Sequence, residues 1–222
     1  MGLFDKFHKN KQPENREMAD DISALGWDAI TAEFERIYSG QTNPKHYASV
    51  VRWRFGGNHP LDGISIYDGG EYWHFVTYGM TELYEKEEDN DGISGFGYEM
   101  TFKLKKDNYL DEEREFLCIC EILHSIARIT FNNSELFQPY EFLYTGQITG
   151  IDANQKSNIT GFICVPDSSV NTIQTPNGTV EFLEFIGMTD AELKTLDTSQ
   201  SVKDIYEKLG SDVTDYNRES LI

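Results

Sequence analysis

The side chains best placed for chemistry crowd one short stretch: Glu82, Glu85, Glu87, Glu88, Asp89 and Asp91, with Tyr84 among them. Carboxylates packed this closely can accept charge-assisted hydrogen bonds from lysine or arginine on another molecule. A tyrosine in their midst supplies the kind of aromatic anchor on which interfaces concentrate binding energy. An ordinary solvated acidic turn has the same composition, and the residues alone leave both readings open. A calcium loop is the third candidate. With Glu87 in position one, Asp89, Asp91 and Gly92 fall at positions three, five and six, but position twelve is then Tyr98, which cannot supply the closing bidentate carboxylate. No metal site and no cofactor are expected.

Catalytic signatures are missing elsewhere. The sequence has no Walker loop, no HExxH and no nucleophile elbow. Gly92-Ile-Ser-Gly-Phe-Gly97 is glycine-rich, but it leads into a strand pattern and lacks the helix N-terminus that would hold a phosphate. Its glycines are expected to serve backbone geometry where a strand begins. Cys118 and Cys120 lie two apart in a helical pattern, so their side chains diverge and cannot chelate one metal. His74 sits inside an aromatic strand, where a hydrogen-bonded core histidine is the expected role. No catalytic residue can be named, and a binding protein is expected, not an enzyme.

Charge narrows the class of partner. Nineteen Lys and Arg stand against 38 Asp and Glu in 222 residues, a formal net charge of −19. Such a surface repels phosphate, which argues against direct nucleic-acid binding; on charge alone it is read equally as steering a basic protein partner or as serving solubility only. Hydrophobic residues at 39% and aromatics at 13% suit a globular domain. The apolar runs are too short to cross a bilayer, so no membrane association is expected. The N-terminus shows no signal-peptide pattern, and Lys6 stands where a myristoylation motif wants Ser or Thr. Three cysteines in a chain of this size point to reduced thiols and a cytoplasmic location.

The elements that must position the acidic stretch follow from periodicity. Residues 1–18 read as a polar tail and 19–222 as one compact α+β domain, a mixed or antiparallel sheet packed with two main helices and short C-terminal helices. The first helix is expected over Asp20 to Tyr38, with Trp27, Ile30, Phe34 and Ile37 at helical spacing. Strands are expected over Tyr47–Phe55, Gly63–Tyr67 and Glu71–Tyr78, the last apolar in both registers as a strand buried on both faces would be. Tyr98, Met100, Phe102 and Leu104 alternate with Glu99, Thr101 and Lys103, the clearest period-two pattern in the chain. The second helix spans Asp111 to Phe131, with Phe116, Ile119, Cys120, Leu123, Ile126 and Ala127 on one stripe and Glu121, His124, Ser125 and Arg128 on the other. Further strands are expected over Phe142–Ile148, Gly161–Val165 and Thr179–Ile186, the last fed by a turn at Pro176-Asn177-Gly178. Thr189-Asp-Ala-Glu192 reads as a capping box, and a final helix covers Ser201–Leu209.

Several blocks together resemble the Suppressor of fused (SUFU) domain: Gly56-Gly57-Asn58-His59-Pro60-Leu61-Asp62 with Ile66-Tyr67, Tyr72 to Tyr84, Ser94 to Leu104, and Ile173 to Gly178, in the family's order over about residues 20–220. The resemblance implies a protein-binding fold. Animal members hold zinc-finger transcription factors of the Hedgehog pathway by clamping a short peptide as an added strand, helped by a tyrosine and an aspartate flanking a variable loop. By motif position these are Tyr84 and Asp91. The loop between them is shorter here, and the chain ends near the close of the first domain. Bacterial single-domain relatives, many of them regarded as immunity proteins of toxin systems, are the closer match in size. The expectation is therefore an immunity protein neutralising a cognate basic toxin domain, with Tyr84, Glu85, Glu87, Glu88, Asp89 and Asp91 touching the partner. The rival expectations are a regulator that binds a linear peptide by strand addition and a hydrolase. The oligomeric state is left open.

Overall fold

The computed structural model describes residues 24–84, 92–107 and 111–222. The expected tail, the start expected for the first helix at Asp20, and Glu85, Glu87, Glu88, Asp89 and Asp91 lie outside the described residues.

Helix α1, Leu25–Ile37, leads into strands β1 (Lys45–Ala48), β2 (Gly63–Asp68), β3 (Tyr72–Tyr78) and β4 (Ile93–Lys105), each antiparallel to the one before. Helix α2, Glu112–Asn133, then crosses to β5 (Glu141–Leu143), β6 (Ile159–Pro166), β7 (Ile173–Thr175) and β8 (Gly178–Thr189). β8 lies parallel to β4 and antiparallel to β6, so the sheet runs β1-β2-β3-β4-β8-β6-β5, with β7 paired to β8 off this path. Short helices α3 (Asp190–Leu193) and α4 (Ser199–Leu209) follow. This is the mixed-sheet α+β architecture that the periodicity predicts.

Helix α2 starts where the Asp111 side chain accepts from the Arg114 amide, with Glu112, Glu113 and Glu115 in the positive first turn. Its apolar stripe is buried in full against Ile66, Phe75, Met100, Phe102 and Phe162 of the sheet. Each such side chain stabilises the fold by roughly 1.5–3 kcal/mol. His124, expected on the polar side, is buried too, because the loop carrying His59 packs over it with ring centres 4.2 Å apart.

The opposite face of the sheet is divided. Along β8, side chains two apart share this face, and they read Phe182, Glu184, Ile186. Phe182 joins the cluster under α1 with Ile30, Phe34, Tyr67 and Val76. Ile186 joins the cluster under α3 and α4 with Val165, Leu193 and Val202. A polar seam lies between them, and it occupies the second face of β4: Glu99, Thr101 and Lys103 are as buried as their apolar neighbours. Period-two alternation on β4 thus marks two buried faces of different chemistry, not one buried and one wet.

Two expected strands are shorter. Tyr47–Phe55 is a strand only to Ala48, because the Ser49 amide bonds the Asp62 carbonyl (3.0 Å) and its hydroxyl the Leu61 carbonyl (2.6 Å), closing a loop. Phe142–Ile148 pairs only over Glu141–Leu143. Gly146 then turns the chain at φ +71°, and the Tyr144 hydroxyl is drawn to Asp190 (2.9 Å).

Candidate functional site

Of the residues expected to touch a partner, Tyr84 is described, and the structure shows how both ends of the acidic segment are fixed. β3 ends at Tyr78, and the turn after it wraps the buried carboxylate of Glu99. Glu99 accepts from the Thr77 and Thr81 hydroxyls (2.6 Å each) and from the amides of Gly79 and Thr81 (3.0 Å each). Burial pushes its carboxyl up to about 7, against the pull of these donors. The Leu83 carbonyl accepts from Gly26 and Trp27 at the start of α1 (3.0 and 3.3 Å). A Cβ at position 26 would lie 2.2 Å from the Glu82 carbonyl oxygen, so only glycine permits this approach. Asn177, in the β7–β8 turn, donates its side-chain amide to the carbonyls of Glu82 (2.7 Å) and Tyr84 (3.2 Å). On the returning side, the Gly92 carbonyl accepts from Thr179 (2.7 Å). Positive φ at Gly92, Gly95 and Gly97 (+84°, +53°, +88°) then carries β4 through its register shift against β8. These glycines shape the start of a strand, as expected.

Tyr84 is half-buried and engaged with its own molecule. Its hydroxyl accepts from Arg52 (2.7 Å), and the guanidinium stacks over its ring at 4.2 Å. Arg52 also faces Asp62 at 3.6 Å. Arg52 belongs to the loop 49–62, whose ends are closed by the Ser49–Asp62 bond; such compact loops with adjoining ends are often functional. The loop is held inward by Leu61, fully buried, and by Trp53 against Phe131 (6.0 Å). Outward it presents Val50, fully exposed, Val51, half-exposed, and Phe55, 70% exposed. An apolar patch therefore borders the root of the acidic segment, joined to it through Arg52.

A second charge-rich centre lies in the polar seam. The Lys103 ammonium donates to Asp167 (2.9 Å), Glu184 (2.6 Å) and Asp212 (2.7 Å). The three carboxylates converge as metal ligands do, but the ammonium stands among them as the resident cation. Burial alone would lower the Lys103 pKa; the charges of Glu184 and Asp167 outweigh it and hold it above the usual range. Burial and then the Asp167 charge push Glu184 well up. Burial would also raise Asp167, but His74 and Lys103 hold it below. Burial keeps His74 neutral. Its Nε2 therefore donates to Asp167 (2.9 Å) while its Nδ1 accepts from the Tyr38 hydroxyl (2.7 Å). Tyr–His–Asp is the order of an acid–base relay. Here it is enclosed, with His74 inaccessible and Tyr38 pushed far above its ordinary pKa by burial and by Tyr72. This is the hydrogen-bonded core histidine that the sequence predicts.

Other nucleophiles are equally quiet. Burial pushes the Cys120 thiol up to about 12 and raises Cys118 and Cys164 as well. All three cysteines are free, and Cys118 donates to the Ile151 carbonyl (3.2 Å) while Cys120 packs in the core, apart as expected. An open hollow of about 250 Å³ is lined by Lys105, Lys106, Asp215 and Tyr216, where Lys105 is paired with Asp215 (2.7 Å). No helix among the described residues is long and apolar enough to cross a membrane.

The sequence singles out Tyr84 but gives no notice of its contacts with Arg52 and Asn177 or of the patch of Val50 and Val51. The available signal was Ser49 followed by Gly56-Gly57-Asn58 and Pro60, a density of loop formers at odds with a strand.

Comparison with known proteins places this geometry in context. The profile of the family described as Suppressor of fused protein (SUFU) matches residues 57–219. The Suppressor of fused homologs of Homo sapiens and Mus musculus are each 30% identical over 181 residues, covering 76% of this chain. The chain spans 36% of their length. Among solved structures it resembles a chain of the Sufu–Fu complex, with a TM-score of 0.76 at 24% identity over 88% of this chain and 91% of that one. Drosophila Suppressor of Fused gives 0.75 at 24% identity, over 88% and 51%. A SUFU homolog from Neisseria gonorrhoeae gives 0.58 at 12% identity, over 89% and 97%. These structures share the fold: one compact domain with a mixed sheet and several helices.

Proposed function

The chain belongs to the Suppressor of fused family, and from that premise we propose that it is a protein-binding module, not an enzyme, which neutralises a basic toxin domain as an immunity protein in a bacterial cytoplasm. One observation carries the reading: the exposed valines of the loop 49–62 are tied by Arg52 to Tyr84, at the root of a segment bearing Glu85, Glu87, Glu88, Asp89 and Asp91. Apolar contact at the centre with carboxylates at the rim is the anatomy of a protein interface, and a net charge of −19 selects a basic partner. Toxin domains that act on nucleic acid are basic because they bind phosphate. The enclosed relay, the raised thiols and the crystallised Sufu–Fu complex of a similar protein all favour binding over catalysis.

The test begins with the neighbouring reading frame. Its product is expected to be a toxin domain that forms a stoichiometric complex with this chain and associates more slowly as salt rises. Amide replacement of Glu87, Glu88, Asp89 and Asp91 together should slow association further. A neighbour whose toxicity this chain leaves unrelieved sinks the immunity reading, and an unchanged association rate sinks the role of the acidic segment.

Strand addition is the second reading, favoured by the sheet's last strand. Among the described residues β5 is paired on one edge only, its residues are exposed or half-buried, and the chain beyond it carries Ile148 at 92% exposure. A peptide array probed with the wild type and with Tyr84→Ala separates the two. Binding of linear peptides that survives the substitution supports strand addition away from the acidic segment.

A further inference from the structure

We propose that His59 and His124 together form a site for a divalent transition-metal ion, with Glu121 as the carboxylate that orients it. The two imidazoles come from separate elements, the loop 49–62 and helix α2. Their ring centres are 4.2 Å apart with planes inclined at 57°. Both Nδ1 atoms are buried, and neither makes a hydrogen bond. His124 is 7% exposed, so an unpartnered nitrogen on a side chain this enclosed asks for an occupant. An ion about 2 Å from each Nδ1 in tetrahedral geometry sets the two ring centres about 5 Å apart, so the rings, now at 4.2 Å, need to spread by about 1 Å to admit it. Imidazole pairs suit zinc, copper and nickel, not calcium or magnesium.

The surroundings fit the assignment. Glu121 precedes His124 on α2 by three positions and shares its side of the helix. Its carboxylate lies 3.8 Å from His59 Nε2. That distance is beyond a hydrogen bond; a carboxylate drawn onto this nitrogen when a metal binds would hold its proton and leave the Nδ1 lone pair for the ion, the usual arrangement behind a ligating histidine. Arg128, one turn further along α2, donates to the Asn58 carbonyl (3.3 and 3.2 Å) and to Ser125 (3.1 Å), which fixes the backbone beside His59. Burial first, then the charges of His59 and Arg128, bring His124 down to about 4. The Arg128 charge also opposes a cation, which places this among the weaker sites with only two protein ligands.

The full chain is titrated with zinc by calorimetry and with copper(II) by electron paramagnetic resonance. One equivalent is expected to bind, with nitrogen splitting in the copper spectrum at low loading. His59→Asn and His124→Phe should each weaken zinc at least tenfold and leave copper with at most one nitrogen ligand. Glu121→Ala should weaken binding while the two-nitrogen spectrum persists, which separates an orienting carboxylate from a ligand. His59 is partly exposed on a loop, so its variant decides the matter even where His124→Phe fails to fold. No zinc binding, or an affinity and spectrum unchanged by His59→Asn, overturns the proposal; the latter result would put the metal on the acidic surface.

Discussion

Around Lys103, charge is folded into a dry seam; around Arg52, charge is left at the surface. In the seam one cation meets three carboxylates; at the loop one cation meets a carboxylate and a tyrosine hydroxyl. In the seam, Lys103, Asp167 and Glu184 are almost wholly enclosed and every short contact is internal. At the loop 49–62, the Arg52 and Asp62 side chains are 33% and 18% exposed, their separation is 3.6 Å, and fully exposed Val50 lies two residues away. The same residue types therefore do two jobs. Enclosed, they bind strands β4 and β8 to the chain around Asp167 and Asp212. At the rim, they tie the exposed valines of the loop 49–62 to Tyr84. Depth decides, because a charge pair at low dielectric gains from its partner what water would otherwise supply.

The largest effect should come from breaking the enclosed side. Lys103→Met keeps most of the volume and removes the cation, leaving Asp167, Glu184 and Asp212 to face one another. A loss of about 3–5 kcal/mol is expected in urea unfolding. Adding Glu184→Leu should recover part of it, and a loss below about 1 kcal/mol for the single change would erase the contrast between the regions. His124 measures burial without a counter-charge. Its folded pKa of about 4 lies below an unfolded value near 6.5. The stability it confers is thus present above about pH 6.5 and lost as pH falls toward 4. Up to about 3 kcal/mol should disappear across that window, and the slope should flatten in His124→Phe when unfolding is followed from pH 7 to 4.

Smaller effects probe the open side. Asn177→Ala removes the donor shared by Glu82 and Tyr84 and should cost about 2 kcal/mol. Faster hydrogen exchange at the amides of Glu82 and Leu83 would confirm that the root has loosened; unchanged exchange would show that Glu99 and the start of α1 suffice. The least effect on stability belongs to Val50→Ser with Val51→Ser, within about 0.5 kcal/mol. That pair should nevertheless slow or abolish partner capture in a binding assay. A large stability loss would instead assign the valines to the fold.

What was legible beforehand was local. The stripe on α2, the capping box of Thr189 with Glu192 and the turn at Pro176-Asn177-Gly178 each depend on residues a few positions apart. The contrast between the two regions depends on distant ones. Lys103 looks like the wet side of a strand until Asp167, Glu184 and Asp212 arrive from the C-terminal half. Val50 and Val51 look like strand residues until Ser49 is seen bonding Leu61 and Asp62. Tyr84 stood out through its acidic neighbours, whereas Arg52, the residue that holds it, carried no local sign of its role.

The parallel pairing of β4 with β8 has a consequence for the order of events during synthesis. Ile93 meets Thr179, so the middle of the sheet cannot close until β8 has also left the ribosome. Until then the β1–β4 meander offers a bare edge to any passing strand, and Lys103 waits there for acidic residues still to be translated. Long sequence separation slows such closure. A buried cation on that waiting edge discourages premature pairing with apolar strands, so the lysine that later locks the sheet also guards it while it is unfinished.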